Sequence, residues 1–266
     1  MIVKTEAIVL NIRPYSRTSH VVTWLTRDYG RITTVVKGAC RAKSAFLGQY
    51  DLFYTCELLF YQRSRNGIYI IRECSPLEFR EPLRTDWRGA AAAGYIAELT
   101  SHVAAGFTDR TYSDFSHALD ILCHCERKSI KPLLFWYEMR ILRNHGTAPD
   151  FTPCPDCSFS ESEWIRFSIP AGRIICVHSD NSNERSPCVT LHREVVKVLR
   201  RFARCETFEA RQYTPVLHPH EKTDKKSNLI LGLSRFLGIF IVFHLDMPAS
   251  VRCTVFEILN SKPALI

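Results

Sequence analysis

Two sets of side chains in this sequence have types and spacings that suit chemistry. The first is soft. Cys154-Pro155-Asp156-Cys157 presents two thiols from one turn, and Cys176-Val177-His178 follows after eighteen intervening residues. A zinc ion takes four thiolate or imidazole ligands in a tetrahedron, and Cys154, Cys157 and Cys176 supply three of them. Where a second C-x-x-C would complete the site stands Ser179. The fourth ligand is therefore His178, with Cys188 as the alternative and His192 behind both. Cys176 and His178 share one face of an extended strand, whereas Cys188 lies beyond the loop "SDNSNERSP". Such a zinc would be structural, because no general base stands nearby for a metal-bound water. The plainer alternative is a set of packed or exposed thiols without metal.

The second set is hard and cationic. "VVKGACRAKSAF" places Lys37, Arg41 and Lys43 within seven positions, separated by the small residues Gly38, Ala39, Ala42 and Ser44. Small neighbours let a backbone approach a bulky polyanion, so the segment reads as a phosphate clamp. The whole chain of 266 residues carries a net charge of +8. Residues 1–80 hold twelve Lys/Arg against six acids, which concentrates +6 of that charge in the first third. Arg13, Arg17 and Arg31 join the clamp as candidate nucleic-acid contacts. Aromatic residues are interleaved with them, and bases stack on such rings for about 1–3 kcal/mol each. Strand alternation sends most of these rings into a core, leaving Tyr15 and Tyr29, beside turns, as the expected exposed pair.

Other clusters point nowhere in particular. Cys123-His124-Cys125 spans residues two apart on a helix, which face different ways, and His218-Pro219-His220 reads as solvent-exposed loop. Neither a P-loop, a dinucleotide fingerprint, G-x-S-x-G nor H-E-x-x-H occurs, so a binding protein is expected over an enzyme. Lys4 and Glu6 interrupt the apolar start, so no secretory signal is expected. "LILGLSRFLGIFIVFHL", residues 229–245, contains Arg235 and falls short of the about 20 apolar residues a membrane span needs. It reads as a buried C-terminal helix. Eleven scattered cysteines then imply reduced thiols in the cytoplasm.

The elements that must carry these groups divide the chain. "IVKTEAIVL", "HVVTWLT", "RITTVVK", "LFYTCELLFYQ" and "IYIIREC" are short strands, with a turn at Asp28-Tyr29-Gly30 and a hairpin signal at Asn66-Gly67. Five strands suggest a small barrel, and the five-stranded OB-fold is a frequent oligonucleotide binder. After Pro76 and Pro82 the chain turns helical, with helices over "DWRGAAAAGYIAELTSHVAA", "YSDFSHALDILCHC" and "SIKPLLFWYEMRILRNHG". In the last, Leu134, Tyr137 or Glu138, and Ile141 form a core stripe. Strand-like pieces follow at Trp164–Ile169 and Arg173–Val177, and Thr190 is expected to cap a helix through Phe202. The fold class is α+β: an OB-fold over 1–80, a helical domain over 81–150, a zinc-ribbon-like insertion over 151–189, and C-terminal helices over 190–266 packing on the helical domain.

In order and spacing these pieces resemble the RecO family of bacterial DNA repair and recombination mediators. The matching stretches are "TEAIVLNIRPYSRTSHVVTWLT", "YGRITTVVKGACRAKS" and "FWYEMRILRNHGTAPDFTPCPDC", with a weaker continuation in "HLDMPASVRCTVFEIL". The resemblance implies an OB-fold, a helical domain and a zinc-binding insertion, without catalytic residues. It implies binding of single- and double-stranded DNA, annealing of complementary strands and, with RecR, loading of RecA onto strands coated by single-stranded DNA-binding protein. Carried over by position, the family's basic loop falls on Lys37, Arg41 and Lys43, its cysteine pair on Cys154 and Cys157, and its third ligand on Cys176. The fourth ligand has no match. Arg17 stands where many relatives carry an acid. A nucleoid-associated cytoplasmic protein is expected.

A competing class is an interaction scaffold or RNA-binding module with incidental DNA affinity. Its feature would be an apolar groove among the helices, flanked by Lys131, Arg140 or Arg143, that accepts the acidic tail of single-stranded DNA-binding protein.

Overall fold

Fifteen consecutive residues, Ile2–Ser16, form strand β1, and this strand serves two neighbours. Its first half pairs antiparallel with β4 (Thr55–Arg65), from Ile2 opposite Tyr61 to Ile8 opposite Thr55. Its second half pairs antiparallel with β2 (Ser19–Thr26), from Ala7 opposite Thr26 to Ser16 opposite Ser19. The register slips between Val9 and Asn11; an extra residue there bends the strand and increases its twist, which lets one strand turn from one neighbour to the other. Strands β3 (Gly30–Val36) and β5 (Ile68–Glu78) complete a closed barrel in the order β1-β2-β3-β5-β4, with β3 and β5 parallel. This is the expected OB-type barrel. The chain is seen in a computed structural model that describes residues 1–65, 67–103, 109–152, 163–175, 187–209, 213 and 225–261.

The turns form where the residues predict. Gly30 sits at φ +67, and the Thr26 hydroxyl donates to its carbonyl at 2.7 Å while accepting from the Tyr29 amide. Gly67 turns the β4–β5 hairpin at φ +74; its partner Asn66 lies outside the described residues. The barrel closes on Val3, Ala7, Val9, Val22, Trp24, Leu58 and Phe60, all buried. Trp24 is wholly buried, yet its indole N–H donates to Thr34 Oγ1 at 2.9 Å, so no desolvated donor is left to destabilise the core.

Met1–His124 is one compact unit, in which the barrel is joined by α1 (Pro82–Thr85), α2 (Trp87–Val103) and α3 (Asp109–His124). Arg80 holds this unit together. Its side chain is 4% exposed and donates to the Phe53 carbonyl, Thr55 Oγ1, Ser116 Oγ and Asp120 Oδ1, with Glu78 Oε2 at 2.7 Å. A fixed guanidinium fork with five N–H donors suits such a junction. Tyr112 on α3 adds a 2.6 Å bond to Glu6 on β1, and burial followed by that bond pushes its phenol well above the ordinary value.

Cys125–Ile266 is the second unit. Its axis is α4 (Arg127–Asn144), which is buried at nearly every position from Ser129 to Leu142. The predicted stripe is thus part of a buried helix, packed by α5 (Arg193–Arg204), α6 (Lys225–Leu245) and α7 (Ala249–Asn260), while a small sheet, β6 (Trp164–Ser168) between β7 (Arg173–Ile174) and β8 (Cys188–His192), packs through β8 on α5 and α6. Phe151, Phe167, Phe236 and Phe240 form one aromatic cluster there. Thr190 does not cap α5: it lies in β8 opposite Arg166, and the cap is His192, whose Nδ1 accepts the Glu194 amide at 3.2 Å. The β-branched and apolar run Val189-Thr190-Leu191 favours strand up to that point. Among the described residues no helix is long and apolar enough to cross a membrane.

Glu138, fully buried on α4, receives both Nε and Nη2 of Arg252 from α7, at 2.6 and 3.0 Å. Removing one partner leaves the other charged in a dry site. Arg252→Ala is therefore expected to lower stability in urea denaturation by about 3–5 kcal/mol, with most of it recovered when Glu138 is also replaced by leucine and Arg252 by methionine.

Candidate nucleic-acid interface

The turn between β1 and β2 and the start of the segment after β3 meet at one end of the barrel. Register explains it: Pro14 pairs with His20, and His20 pairs with Val36 on the other side. The Cys40 amide donates to the Thr18 carbonyl at 3.1 Å and the Gly38 amide to Ser19 Oγ at 3.2 Å, which ties the two loops together. Arg17 is at the tip of the first loop. Arg13 lies four residues back along β1, within about 13 Å at 3.3 Å per residue. Lys37, Arg41 and Lys43 occupy the second loop, and all five are exposed.

The second loop is built of successive tight turns, Arg41 N to Gly38 O, Ser44 N to Arg41 O, Leu47 N to Ser44 O and Gln49 N to Phe46 O. Phe46 and Tyr50 anchor it by packing on the barrel core. Beneath it, the Cys56 and Cys74 thiols both donate to the Gln49 carbonyl at 3.5 Å. Hydrogen bonding to Cys56, then burial, pushes the Cys74 thiol far above its ordinary value, so it stays a donor. Gly38 has φ +72, and the Arg41 stem lies across it, 3.4 Å from where a Cβ would sit.

The electrostatics single this end out. Among the described residues several other cations of this unit are engaged: Lys4 with Glu57, Arg27 with Glu6 and Arg72 with Glu73 on the barrel, and Arg84 of α1 with Asp51 at 2.6 Å. Among the described residues, none of Arg13, Arg17, Lys37, Arg41 and Lys43 is paired with a carboxylate. Arg31 is separate. It pairs with Leu25 toward the other end of the barrel, and its guanidinium donates to the Ser101 carbonyl at 2.8 Å on α2. Tyr15 is 63% exposed beside Arg13 and Arg17, whereas Tyr29, 47% exposed, packs edge-on against Phe60 near Arg31. The arrangement can hold phosphates and offer one ring for stacking.

Sequence reasoning missed His20, Cys40 and Tyr50, which adjoin the clamp. Cys40 Sγ is 3.2 Å from His20 Nε2, and His20 Nδ1 is 2.8 Å from the Tyr50 hydroxyl. A cysteine inside a basic loop was visible; that β2 would bring an imidazole under it required the register. Cys154, Cys157, Cys176 and His178 lie outside the described residues, while Cys188 is exposed at the start of β8, opposite Ser168. Among the described residues no group of three His, Cys, Asp or Glu side chains converges as metal ligands. The groove cations are occupied: Arg140 and Arg143 both grip Glu206, at 2.8 and 2.6 Å, and Lys131 donates to Asn260.

Comparison with known proteins gives two family matches, Recombination protein O N terminal over residues 1–80 and Recombination protein O C terminal over residues 84–220. The chain is 31% identical over 180 residues to a DNA repair protein RecO of Alkaliphilus metalliredigens, covering 66% of this chain and 71% of the relative. It is 26% identical over 205 residues to that of a Thermoanaerobacter species, covering 76% and 79%. Against the Bacillus pumilus protein it is 29% identical, covering 66% and 68%.

The conformation of Gly38 makes the clamp testable without touching a charge. An L-residue at positive φ costs about 1–2 kcal/mol, so Gly38→Ala should lower the urea midpoint accordingly, and a midpoint equal to wild type would show that the turn relaxes freely.

Proposed function

Because the chain belongs to the RecO family of recombination proteins, we propose that it acts in DNA repair as a non-catalytic mediator that binds single- and double-stranded DNA through the cationic end of its barrel and anneals complementary strands. One observation carries the reading: five exposed cations, none paired with a carboxylate among the described residues, stand where two barrel loops are tied together. Annealing is limited by repulsion between two phosphate backbones, and a surface that releases counterions from both lowers that barrier. Contacts to phosphate carry no base information, so little sequence preference follows. Arg31, engaged with Ser101, contributes to the field at longer range. The reading extends to RecR and the tail of single-stranded DNA-binding protein as partners, with RecA loaded indirectly onto coated strands. It also includes one structural zinc on Cys154, Cys157, Cys176 and either His178 or Cys188.

The test is annealing of complementary DNA strands, bare and coated, alongside binding across a salt series. Replacing Lys37, Arg41 and Lys43 together with alanine should abolish the acceleration and flatten the log affinity against log salt slope by about two units, at roughly 0.7 per lost contact on single strands. An unchanged slope would remove the loop from the site. Metal analysis should find zinc that is lost in Cys154→Ser.

A further inference from the structure

Cys40 sits in the middle of the clamp, exposed, between Lys37 and Arg41 in sequence. Its Sγ is 3.2 Å from His20 Nε2, and His20 Nδ1 is in turn 2.8 Å from the Tyr50 hydroxyl. Nucleophile, base and a third group orienting the base, all within hydrogen-bond reach, are the signature of an activated thiol. The supporting elements fix each member. His20 is held in the β2 ladder between Pro14 and Val36, the Cys40 amide is bonded to Thr18, and Tyr50 packs on the barrel core against Trp24 at 6.0 Å between ring centroids. Burial raises the Tyr50 phenol above its ordinary value, so it remains a neutral partner. With the imidazole proton on Nδ1 and donated to the Tyr50 oxygen, the Nε2 lone pair faces the thiol.

We propose that Cys40 is a nucleophilic modification site that exchanges with small anionic disulfides, and that the resulting adduct closes the nucleic-acid clamp. The reaction balances without a further reagent. The Cys40 thiol gives its proton to His20 Nε2; the sulfur attacks one sulfur of the disulfide; a new S–S bond forms as the old one breaks; the departing thiolate takes up the proton from His20. The adduct places carboxylates among Lys37, Arg41 and Lys43, where they compete with phosphate. The chemistry stands on the dyad alone; its consequence rests on the nucleic-acid reading above.

The thiol arm of the test uses the full chain and 5,5′-dithiobis(2-nitrobenzoate), with peptide mapping by mass spectrometry. Cys40 should react about tenfold faster than the exposed Cys188 and Cys253. His20→Ala should slow it by about tenfold, with partial rescue by imidazole in the buffer, which a purely structural role for His20 would not give. Tyr50→Phe, which removes only the hydroxyl, should slow it less. Equal reactivity of the three cysteines, or a rate indifferent to His20, overturns the proposal. The binding arm treats the protein with glutathione disulfide and measures single-stranded DNA affinity. The adduct should weaken binding by about tenfold, reversibly with dithiothreitol and not in Cys40→Ser, since one more negative group faces the phosphates. Tight binding by the adduct overturns the regulation. Failure of the unmodified protein to bind DNA overturns the nucleic-acid reading and the regulation together, while the thiol arm still decides the reactivity.

Discussion

The constraint on which the N-terminal unit depends is that β1 must satisfy two neighbours. A five-stranded sheet has two edges whose amides and carbonyls need partners, and here the edges are closed by bending β1 at the slip between Val9 and Asn11. Ile2 to Ile8 pair with β4 and Ala7 to Ser16 with β2, so the two ladders overlap at Ala7 and Ile8 just before the bend. The bend also fixes where the β1–β2 tip ends up. Because Ser16 pairs with Ser19 and His20 with Val36, Arg17 and Lys37 are brought to one rim with no further device. The cationic rim is thus a by-product of barrel closure, and apart from Arg13, which pairs with Val21, its cations stand in the two loops outside the ladder.

Both units solve the problem of burying polar groups in the same manner. Arg80 in the first and Arg252 in the second are arginines with nearly inaccessible side chains whose forked donors are almost fully used. Each bonds to a carboxylate and a backbone carbonyl from distant parts of the chain, Asp120 and Phe53 for Arg80, Glu138 and Ser234 for Arg252. Arg80 adopts φ +46, an uncommon conformation for a side chain of this size, and its bonds to Phe53, Thr55, Ser116 and Asp120 hold it there. A lysine could not reproduce either junction, since its ammonium is a point charge on a flexible stem.

What could be read from the residues alone follows from the range of the interactions involved. The five strands, the Gly30 and Gly67 turns and the helices after Pro82 depend on neighbours within a few positions, and they were legible. So was the exposure of Tyr15 and Tyr29. The start of α5 was misplaced because Thr190 suits both a cap and a strand, and only its pairing with Arg166 decides. Of the six candidate DNA contacts, five gather and Arg31 does not; charge and sequence proximity are the same for all, and the difference lies in strand direction. The dyad of Cys40 and His20 was illegible for the same reason, being made by residues twenty apart, one on β2 and one in the loop after β3. Arg140 and Arg143 looked available until Glu206 was seen between them.

Five cations on one rim, none paired with a carboxylate among the described residues, have a mechanical meaning. The described ion pairs contribute short-range fields that cancel within a few ångströms, whereas the five rim cations add. A body with cations collected on one rim experiences a torque in the field of a polyanion before it experiences contact. On the proposed function, encounter with nucleic acid is biased toward rim-first orientations, with the gain in the speed of capture; it fades as dissolved ions shorten the field to about 8 Å at physiological ionic strength.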